Sequence, residues 1–501
     1  MGIKRPFKYN PSFLSDEELL DSFCARKSEF EILMKCIRGN IGEINQHLLL
    51  IGIRGSGKTT LLRRVAAEIK SDDELSSKWH PVMFSEENYE ILNLDDLWMQ
   101  SLYYLEPEAR GYDELKSRGS RDPYSEDIGL SRLLDFADAQ NKRILLLCEN
   151  MQDMLSVIPE KDAWKLRGVL QTESRIMLLG SATARFDQIE HYKQPFYEFF
   201  KLVTLDRMPQ SDCKILWEKL TGNSISDVQA RALQILTGGQ PRLLSVIAWF
   251  GKELSFMQLM RNLEALIDDH TEYFKGHMEA LPPKERKIFA TLARLWVPSS
   301  SSEVAREARM EQTETSSLIN RLVNRGAVEE YVPDKKTKRA KLYQLTERLY
   351  NIYYLMRVGG KYSLWVKPIV EFLAQVYGKE LLVEELKKNY NKAFEFLEKE
   401  INHPDNVSEN TKKISDLCME IAASSREKAQ ELVELIENSP SRDVLSPLVA
   451  GIKNYLGMEF RAPLEVREIA EDIKKWIEER QCTMHNDQCT MKDKNTGINT
   501  H

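Results

Sequence analysis

The sequence has little cysteine, little histidine and no long apolar run. Its seven cysteines, Cys24, Cys36, Cys148, Cys213, Cys418, Cys482 and Cys489, are scattered, odd in number and never spaced as CxxC. That spacing argues against a disulfide framework and predicts reduced thiols in a cytoplasmic setting. Cys482, His485 and Cys489 are clustered, but no second half-site matches them, so they read as part of a polar tail rather than a zinc site. No uninterrupted apolar stretch approaches the ~18 residues that span a bilayer, which predicts no membrane segment. The start, MGIKRPFKYNPSF, lacks an apolar h-region and predicts no secretory signal. Pro6 stands where a myristoylation signal carries Ser or Thr. An excess of positive charge is also missing. The formal charge of −7 argues against wholesale coating of nucleic acid, while leaving room for a local basic surface.

What is present suggests roughly three domains of about 150 residues each. Residues 1–46 read as a lead-in plus one helix, DEELLDSFCARKSEFEILMKCI. From 47 to 206, apolar runs alternate with helical stretches: HLLLIGI (47–53), PVMFSEE (81–87), RILLLCE (143–149), RIMLLGS (175–181) and KLVTLD (201–206). Strands separated by helices predict a parallel α/β sheet covered on both faces. Residues 106–128 read as a long loop. Residues 207–278 are helical, with TGGQPRLL (237–244) as an interruption, and Pro282-Pro283 opens a further module. Beyond 358 only helix-period spacing remains, in LWVKPIVEFLAQVY, ELLVEELKKNYNKAFEFLEKEI, REKAQELVELIE and EVREIAEDIKKWIEER. The polar residues 484–501 predict a disordered tail. The organisation is therefore an α/β core over 12–206, a helical segment over 207–278, a module over 279–358 and a helical region over 359–483.

GIRGSGKT at 52–59 matches the phosphate-binding loop GxxxxGK[ST]. Gly52, Gly55 and Gly57 let the backbone curl so that N–H groups, including those of Arg54 and Ser56, face a phosphate. The helix that follows adds its N-terminal dipole. Lys58 brings a positive charge to the outer phosphates, the Thr59 hydroxyl suits Mg²⁺, and Thr60 continues the first turn. The strand HLLLIGI precedes this loop, and Leu61, Leu62, Val65, Ala66 and Ile69 follow on one helical face.

Upstream, Phe23, Arg26 and Glu29 form an F-x-x-R-x-x-E pattern in FCARKSEFEIL. With the phosphate loop, this resembles AAA+-type P-loop ATPases of the initiator-like and STAND branches, where such a helix flanks the adenine site. The resemblance covers residues 12–358. It implies an ASCE/AAA+ type parallel sheet, a helical lid, ATP and Mg²⁺ as cofactors, and a nucleotide contact from Arg26.

Hydrolysis in this class needs an acid for Mg²⁺, a second group for the attacking water, and polar groups at the γ-phosphate. ILLLCENMQD (144–153) is the strand that ends in acid. Two alignments compete. Either Cys148 replaces the magnesium acid and Glu149 activates water, or Glu149 is the magnesium acid and Asn150 takes the water-polarising place. The second is preferred, because a thiol is a poor partner for a hard cation. Either way one carboxylate is missing, which predicts slow turnover. Asp153, one turn later, is a candidate to compensate. The polar end of RIMLLGSATARF, Ser181 or Thr183, fits the sensor near the γ-phosphate in the family. In TGGQPRLL the resemblance implies that Pro241 and Arg242 face the nucleotide, with Arg242 as the second sensor. Arg167, Arg175 and Arg185 are candidates for an arginine finger acting in trans.

Residues 282–350 resemble a repressor-type winged helix-turn-helix: PPKERKIFATLARL, SSEVAREARM, QTETSSLINRLVNRG, then a hairpin from AVEEYV and LYQLT around the tip PDKKTKRAK. The segment carries 14 Lys and Arg against 9 Asp and Glu, so it is net positive in an acidic chain. Lys335, Lys336, Lys338, Arg339 and Lys341 at the tip suit duplex DNA phosphates. Glu311 and Glu314 at the start of the third helix oppose close base reading. LTERLYNIYYLMR (345–357) reads as a packing seam. Together these features imply an ATP-controlled switch with slow hydrolysis that governs a homo-oligomer or a protein partner, with signalling or antiviral defence as the setting the resemblance offers. The alternatives are an ATP-gated DNA-binding regulator or loader, and an ATP-stabilised scaffold that never hydrolyses.

Overall fold

The computed structural model describes residues 14–84 except 41 and 43, 90–105, 128–251, 278–331, 341–358 and 390–495, with isolated positions between 254 and 276 and between 369 and 377. The chain divides into two compact units. The first comprises Met1–Lys219, Gln240–Ser245 and Leu322–Ala327; the second comprises Leu220–Gly239, Val246–Arg321 and Val328–His501.

The first unit is built on five strands, β1 (Leu48–Ile51), β2 (Trp79–Met83), β3 (Arg143–Cys148), β4 (Ile176–Ala182) and β5 (Lys201–Thr204). They form one sheet in the order β2-β3-β4-β1-β5, and every pairing is parallel. The expected strands are all present, shifted at their ends by one to four residues. Before them come α1 (Asp16–Ser22) and α2 (Lys27–Gly39); between them run α3 (Lys58–Ser71), α4 (Asp73–Lys78), α5 (Leu94–Leu105), α6 (Ile128–Gln140), α7 (Met151–Val157), α8 (Glu160–Thr172) and α9 (Asp187–Glu190); after them comes α10 (Gln210–Thr221).

The continuous apolar strands follow from burial on both faces. On one face Leu48, Leu50, Leu145, Leu147, Met177 and Leu179 pack with Leu61, Leu62, Val65 and Ile69 of α3 and with Leu33 and Ile37 of α2. On the other, Leu49, Ile51, Ile144, Leu146, Cys148, Ile176 and Leu178 pack with Leu97, Trp98, Leu133, Met151, Leu166 and Leu170. Each strand alternates between the two cores because successive side chains point to opposite faces.

The single helix expected over DEELLDSFCARKSEFEILMKCI is two helices. Arg26 adopts a left-handed conformation (φ 64°) between α1 and α2. Ser15 and Glu18 form a capping box that starts α1. The long loop read at 106–128 lies outside the described residues apart from its last position.

The second unit holds α11 (Asp227–Thr237), most of α12 (Pro241–Gly251), α13 (Pro283–Leu295), β6 (Ser299–Ser300), α14 (Ser301–Ala308), most of α15 (Gln312–Asn324), β7 (Val328–Tyr331), β8 (Leu342–Leu345) and α16 (Leu349–Val358). β6, β8 and β7 form a three-stranded antiparallel sheet, of which β6 was not apparent in the sequence. Then follow α17 (Tyr390–Ile401), α18 (Pro404–Ser424), α19 (Arg426–Glu437), α20 (Ser446–Leu456) and α21 (Leu464–Asn495). The backbone of α21 stays helical to Asn495. It runs past residue 484, where the polar composition suggested an end to regular structure.

At the amino end of the sheet, His47 is almost fully buried and stacks on Phe199. Its Nδ1 accepts from the Leu178 N–H (3.0 Å), so Nε2 carries the proton it donates to the Leu170 carbonyl (2.8 Å). Burial holds its pKa below 6.5, although the Leu170 bond pulls the other way. The unfolded chain therefore binds this proton more readily, and the neutral ring contributes stability that is fully present above about pH 6.5 and lost as pH falls through the folded-state value. We expect the urea midpoint to fall below pH 6.5, and to fall less steeply in His47→Gln, which keeps a donor and an acceptor but does not titrate. Equal slopes in the two proteins would exclude His47 as the source.

Candidate functional site

The site is built at the carboxyl ends of β1, β3 and β4. β1 ends at Ile51 and α3 begins at Lys58. In the loop between them Gly55 (φ 80°) and Gly57 (φ 96°) lie in the left-handed region, which L side chains enter only at a cost. The turn delivers the N-terminus of a 14-residue helix to the loop, with first-turn N–H groups that no helix satisfies internally. Lys58 is buried, and its Nζ donates to the carbonyls of Gly52 (2.6 Å) and Ile53 (3.1 Å). The ammonium is thus folded back over the loop. Arg54 is exposed at the loop tip, Ser56 is buried, and Thr59 and Thr60 are half-buried on the first turn.

The Thr59 hydroxyl donates to the Glu149 carboxylate, a contact that joins α3 to the end of β3 two strands away. Strand alternation accounts for it. Leu145 and Leu147 face α3, so Glu149 follows on that side. Cys148 lies in the opposite core, fully buried, with its thiol pushed up by desolvation. The geometry therefore brings Glu149, not Cys148, to Thr59. Asn150 caps α7 in a left-handed conformation (φ 50°, ψ 46°), and its side chain makes no capping bond. Asn tolerates that region better than most residues.

Cys148 pairs with Gly180, so Glu149 and Ser181 stand side by side one residue further along. Ser181 is completely buried and its Oγ has no hydrogen-bond partner. Thr183, the other sensor candidate, is engaged, its hydroxyl donating to the Asn324 carbonyl (3.1 Å). Asp153 interacts with Gln152 (3.2 Å) and with the charge of Arg325, while desolvation raises its carboxyl above the ordinary range.

Pro241 and Arg242 also reach the loop. The Arg242 N–H donates to the Gly55 carbonyl (3.3 Å), and a β-carbon built on Gly57 would lie 3.8 Å from Pro241 Cγ. Gln240, which sequence reasoning passed over, has its Oε1 3.3 Å from a β-carbon built on Gly55. Its signal was its place between the glycine pair and Pro241.

Arg26 is buried, with its guanidinium bonded to Glu29 (2.8 Å) and to the Asp206 carbonyl. These contacts fasten the start of α2 to the segment after β5. Of the finger candidates, Arg167 donates to the Pro195 and Tyr197 carbonyls, and Arg175 pairs with Glu173 (2.7 Å) and Asp138 (2.6 Å). Arg185 is exposed.

In the second unit Lys341 pairs with Glu330 (2.8 Å), and Lys284 pairs with Glu314. Lys335, Lys336, Lys338 and Arg339 lie outside the described residues. Among the described residues no three His, Cys, Asp or Glu side chains gather as a metal cage. No described helix is long and apolar enough to cross a membrane.

A five-stranded parallel α/β sheet with a glycine loop and Lys58 at the end of its β1 defines a P-loop NTPase fold. No protein-family model matches the chain, and no curated protein does. Among solved structures, the chain is similar to a Walker-type ATPase of Pyrococcus abyssi, at 12% identity and a TM-score of 0.47, over 67% of this chain and 96% of that one. It is similar to an ORC1 protein of Aeropyrum pernix solved in complex with DNA, at 14% identity and a TM-score of 0.38, over 68% and 94%. A RuvB of Thermotoga maritima matches at 18% identity and a TM-score of 0.36, over 66% and 96%.

The loop geometry has a measurable consequence. A β-carbon on Gly57 meets nothing closer than 3.8 Å, so the cost of Gly57→Ala is one of backbone conformation. We expect this variant, without ligand, to lose about 1–2 kcal/mol in urea unfolding. An unchanged midpoint would mean that the left-handed turn is not held in solution.

Proposed function

We propose that this protein is an ATP- and Mg²⁺-binding switch of AAA+/STAND type whose slow hydrolysis resets an oligomer or a partner complex. The observation that carries the reading is the Thr59–Glu149 hydrogen bond beneath the glycine loop, with Asn150 where a second carboxylate would stand. The residues fit ATP and Mg²⁺. A hydroxyl and a carboxylate are oxygen donors suited to a hard cation that keeps most of its shell from water and phosphate. Ser181 Oγ is buried at the end of β4 without a partner, as a donor awaiting an acceptor would be.

Bound ATP supplies the scissile phosphoanhydride and Mg²⁺ the charge neutralisation at its phosphates. The loop amides and Lys58 bind the phosphates, and the Lys58 ammonium exchanges the Gly52 and Ile53 carbonyls for phosphate oxygens. Thr59 and Glu149 would hold the metal through its shell. Asn150 orients a water but cannot take its proton, so the rate falls short of an enzyme with a general base. Ser181 would donate to the γ-phosphate, and Pro241 and Arg242, the first two residues of α12, would carry its presence into that helix. An adenine-side role for the start of α2 rests on the family resemblance, with the Arg26 guanidinium holding Glu29 and the Asp206 carbonyl. Signalling or antiviral defence is the setting we propose, on family resemblance alone.

ATP binding, turnover and oligomer size of the wild type beside Lys58→Ala and Glu149→Gln test this reading. We expect Lys58→Ala to bind ATP at least about tenfold more weakly, near 1.4 kcal/mol. Glu149→Gln should bind ATP yet lose turnover, and wild-type turnover should lie below the roughly 10 s⁻¹ typical of enzymes. If neither substitution alters binding, turnover or assembly, the switch reading is wrong.

A second reading, ATP-gated DNA contact, draws on the helix-helix-helix-hairpin order of α13, α14, α15 and β7–β8, which fits a winged helix. An open groove there is lined by Lys284, Lys287, Arg306 and Arg309 beside Glu311 and Glu314. Binding of duplex DNA that strengthens with ATP and weakens with salt would support it. No binding at low salt with or without ATP removes it.

A further inference from the structure

The second unit contains a half-buried ionic network, centred on a buried arginine, that no step above uses. Arg348, in the turn between β8 and α16, is 3% exposed. Its guanidinium donates to the Ile235 carbonyl (2.6 Å) at the end of α11 and to the Glu468 carboxylate on α21. Arg231 on α11 pairs with Asp472 (2.9 Å) and with Glu468 (3.4 Å). The Tyr377 hydroxyl donates to the same Asp472 carboxylate (2.9 Å). Glu468 and Asp472 stand one turn apart on one face of α21, so a single stretch of that helix receives both arginines.

The position of Arg348 at the end of α11 is the informative detail. α11 closes at Gly238 in a left-handed conformation (φ 64°), and a β-carbon there would lie 3.1 Å from Arg348 Nε. A cation at a helix C-terminus satisfies its last carbonyls and complements its dipole. Two residues after Gly238 the chain enters the first unit as Gln240, Pro241 and Arg242, the segment that lies against Gly55 and Gly57. The stretch Thr237–Arg242 is thus held at one end by the phosphate loop and at the other by Arg348. Gly239 alone lies between Gly238, against Arg348, and Gln240, against Gly55, so a shift of Arg242 has few backbone dihedrals in which to be absorbed.

We propose that Arg348 is a positioning residue that, with Arg231, ties this segment to Glu468 and Asp472, making α21 the output arm of the nucleotide state. The proposal rests on the nucleotide reading of the site. By linkage, a brace that responds to nucleotide also sets nucleotide affinity, whereas a purely structural brace would do neither.

The test is hydrogen exchange of peptides covering 231–239 and 464–483 in the full chain, with and without ATP and Mg²⁺. Nucleotide binding is measured separately with a fluorescent ATP analogue. Glu468→Gln and Arg348→Lys are chosen over alanine because deleting one partner of a buried pair strands the other charge. In the wild type, nucleotide should change exchange in both peptides by about fivefold or more. In either variant that change should shrink to less than about twofold while nucleotide still binds, with affinity altered by about three- to tenfold. Either variant alone suffices if the other does not fold. Wild-type protein that binds the analogue without any change over 464–483 overturns the proposal, as does a full response in a folded variant. Absence of analogue binding overturns the nucleotide reading itself, and the proposal with it.

Discussion

A parallel sheet buried on both faces leaves polar chemistry one place to stand, the edge where its strands end. Everything in the candidate site follows from that constraint. Leu48, Leu50, Leu145, Leu147, Met177 and Leu179 must be apolar because α2 and α3 cover them. Past the last covered position the same alternation continues, and the residues that would be core become Glu149 and Ser181. The Thr59–Glu149 bond then spans the β4 strand between them and ties the phosphate loop to the acid strand. A one-residue slip in β3 would bring Cys148 to α3 and send Glu149 into an apolar core, so the cost of burying that carboxylate enforces the register.

The sheet was legible because it is written as runs of apolar residues bounded by turns, a signal that does not depend on distant partners. The glycine loop was legible for a related reason: its chemistry is local, and Gly55, Gly57, Lys58 and Thr59 are neighbours in sequence. That Cys148 and Glu149 face opposite sides follows from the pleat alone, whereas the preference for Glu149 in the sequence rested on the poor match of a thiol to a hard cation. What was not legible depends on backbone conformation or on partners far along the chain. The left-handed turn at Arg26 divides what the apolar spacing suggested was one helix, because spacing records which face is buried and not whether the chain kinks. The engagement of Thr183 comes from Asn324, 141 residues away. Arg348 stands in a segment read as an aromatic packing seam, and its acidic partner is 120 residues further on.

The two ends of the TGGQPR segment differ in kind. At the loop it contributes backbone and ring contacts, the Arg242 N–H to Gly55 and Pro241 beside Gly57. At Gly238 it meets a desolvated charge, whose pKa burial would lower but whose acidic neighbours Glu468 and Glu465 hold it raised. A contact of the first kind is readily rearranged by a ligand. An ion network around a buried charge, the second kind, gains little net stability but is costly to break, which suits it to fixing one arrangement among several.

Asn150 has a consequence for how such a site could change. The chain leaves β3 through a corner that turns left-handed at the residue after Glu149. A glutamate in that corner would be held in a conformation that costs most L-residues about 1–2 kcal/mol. Yet Glu198 already holds such a conformation (φ 51°) elsewhere in this chain, and aspartate enters it as asparagine does. The bend therefore strains a second carboxylate there without excluding it, and aspartate is the acid that would fit the corner most easily.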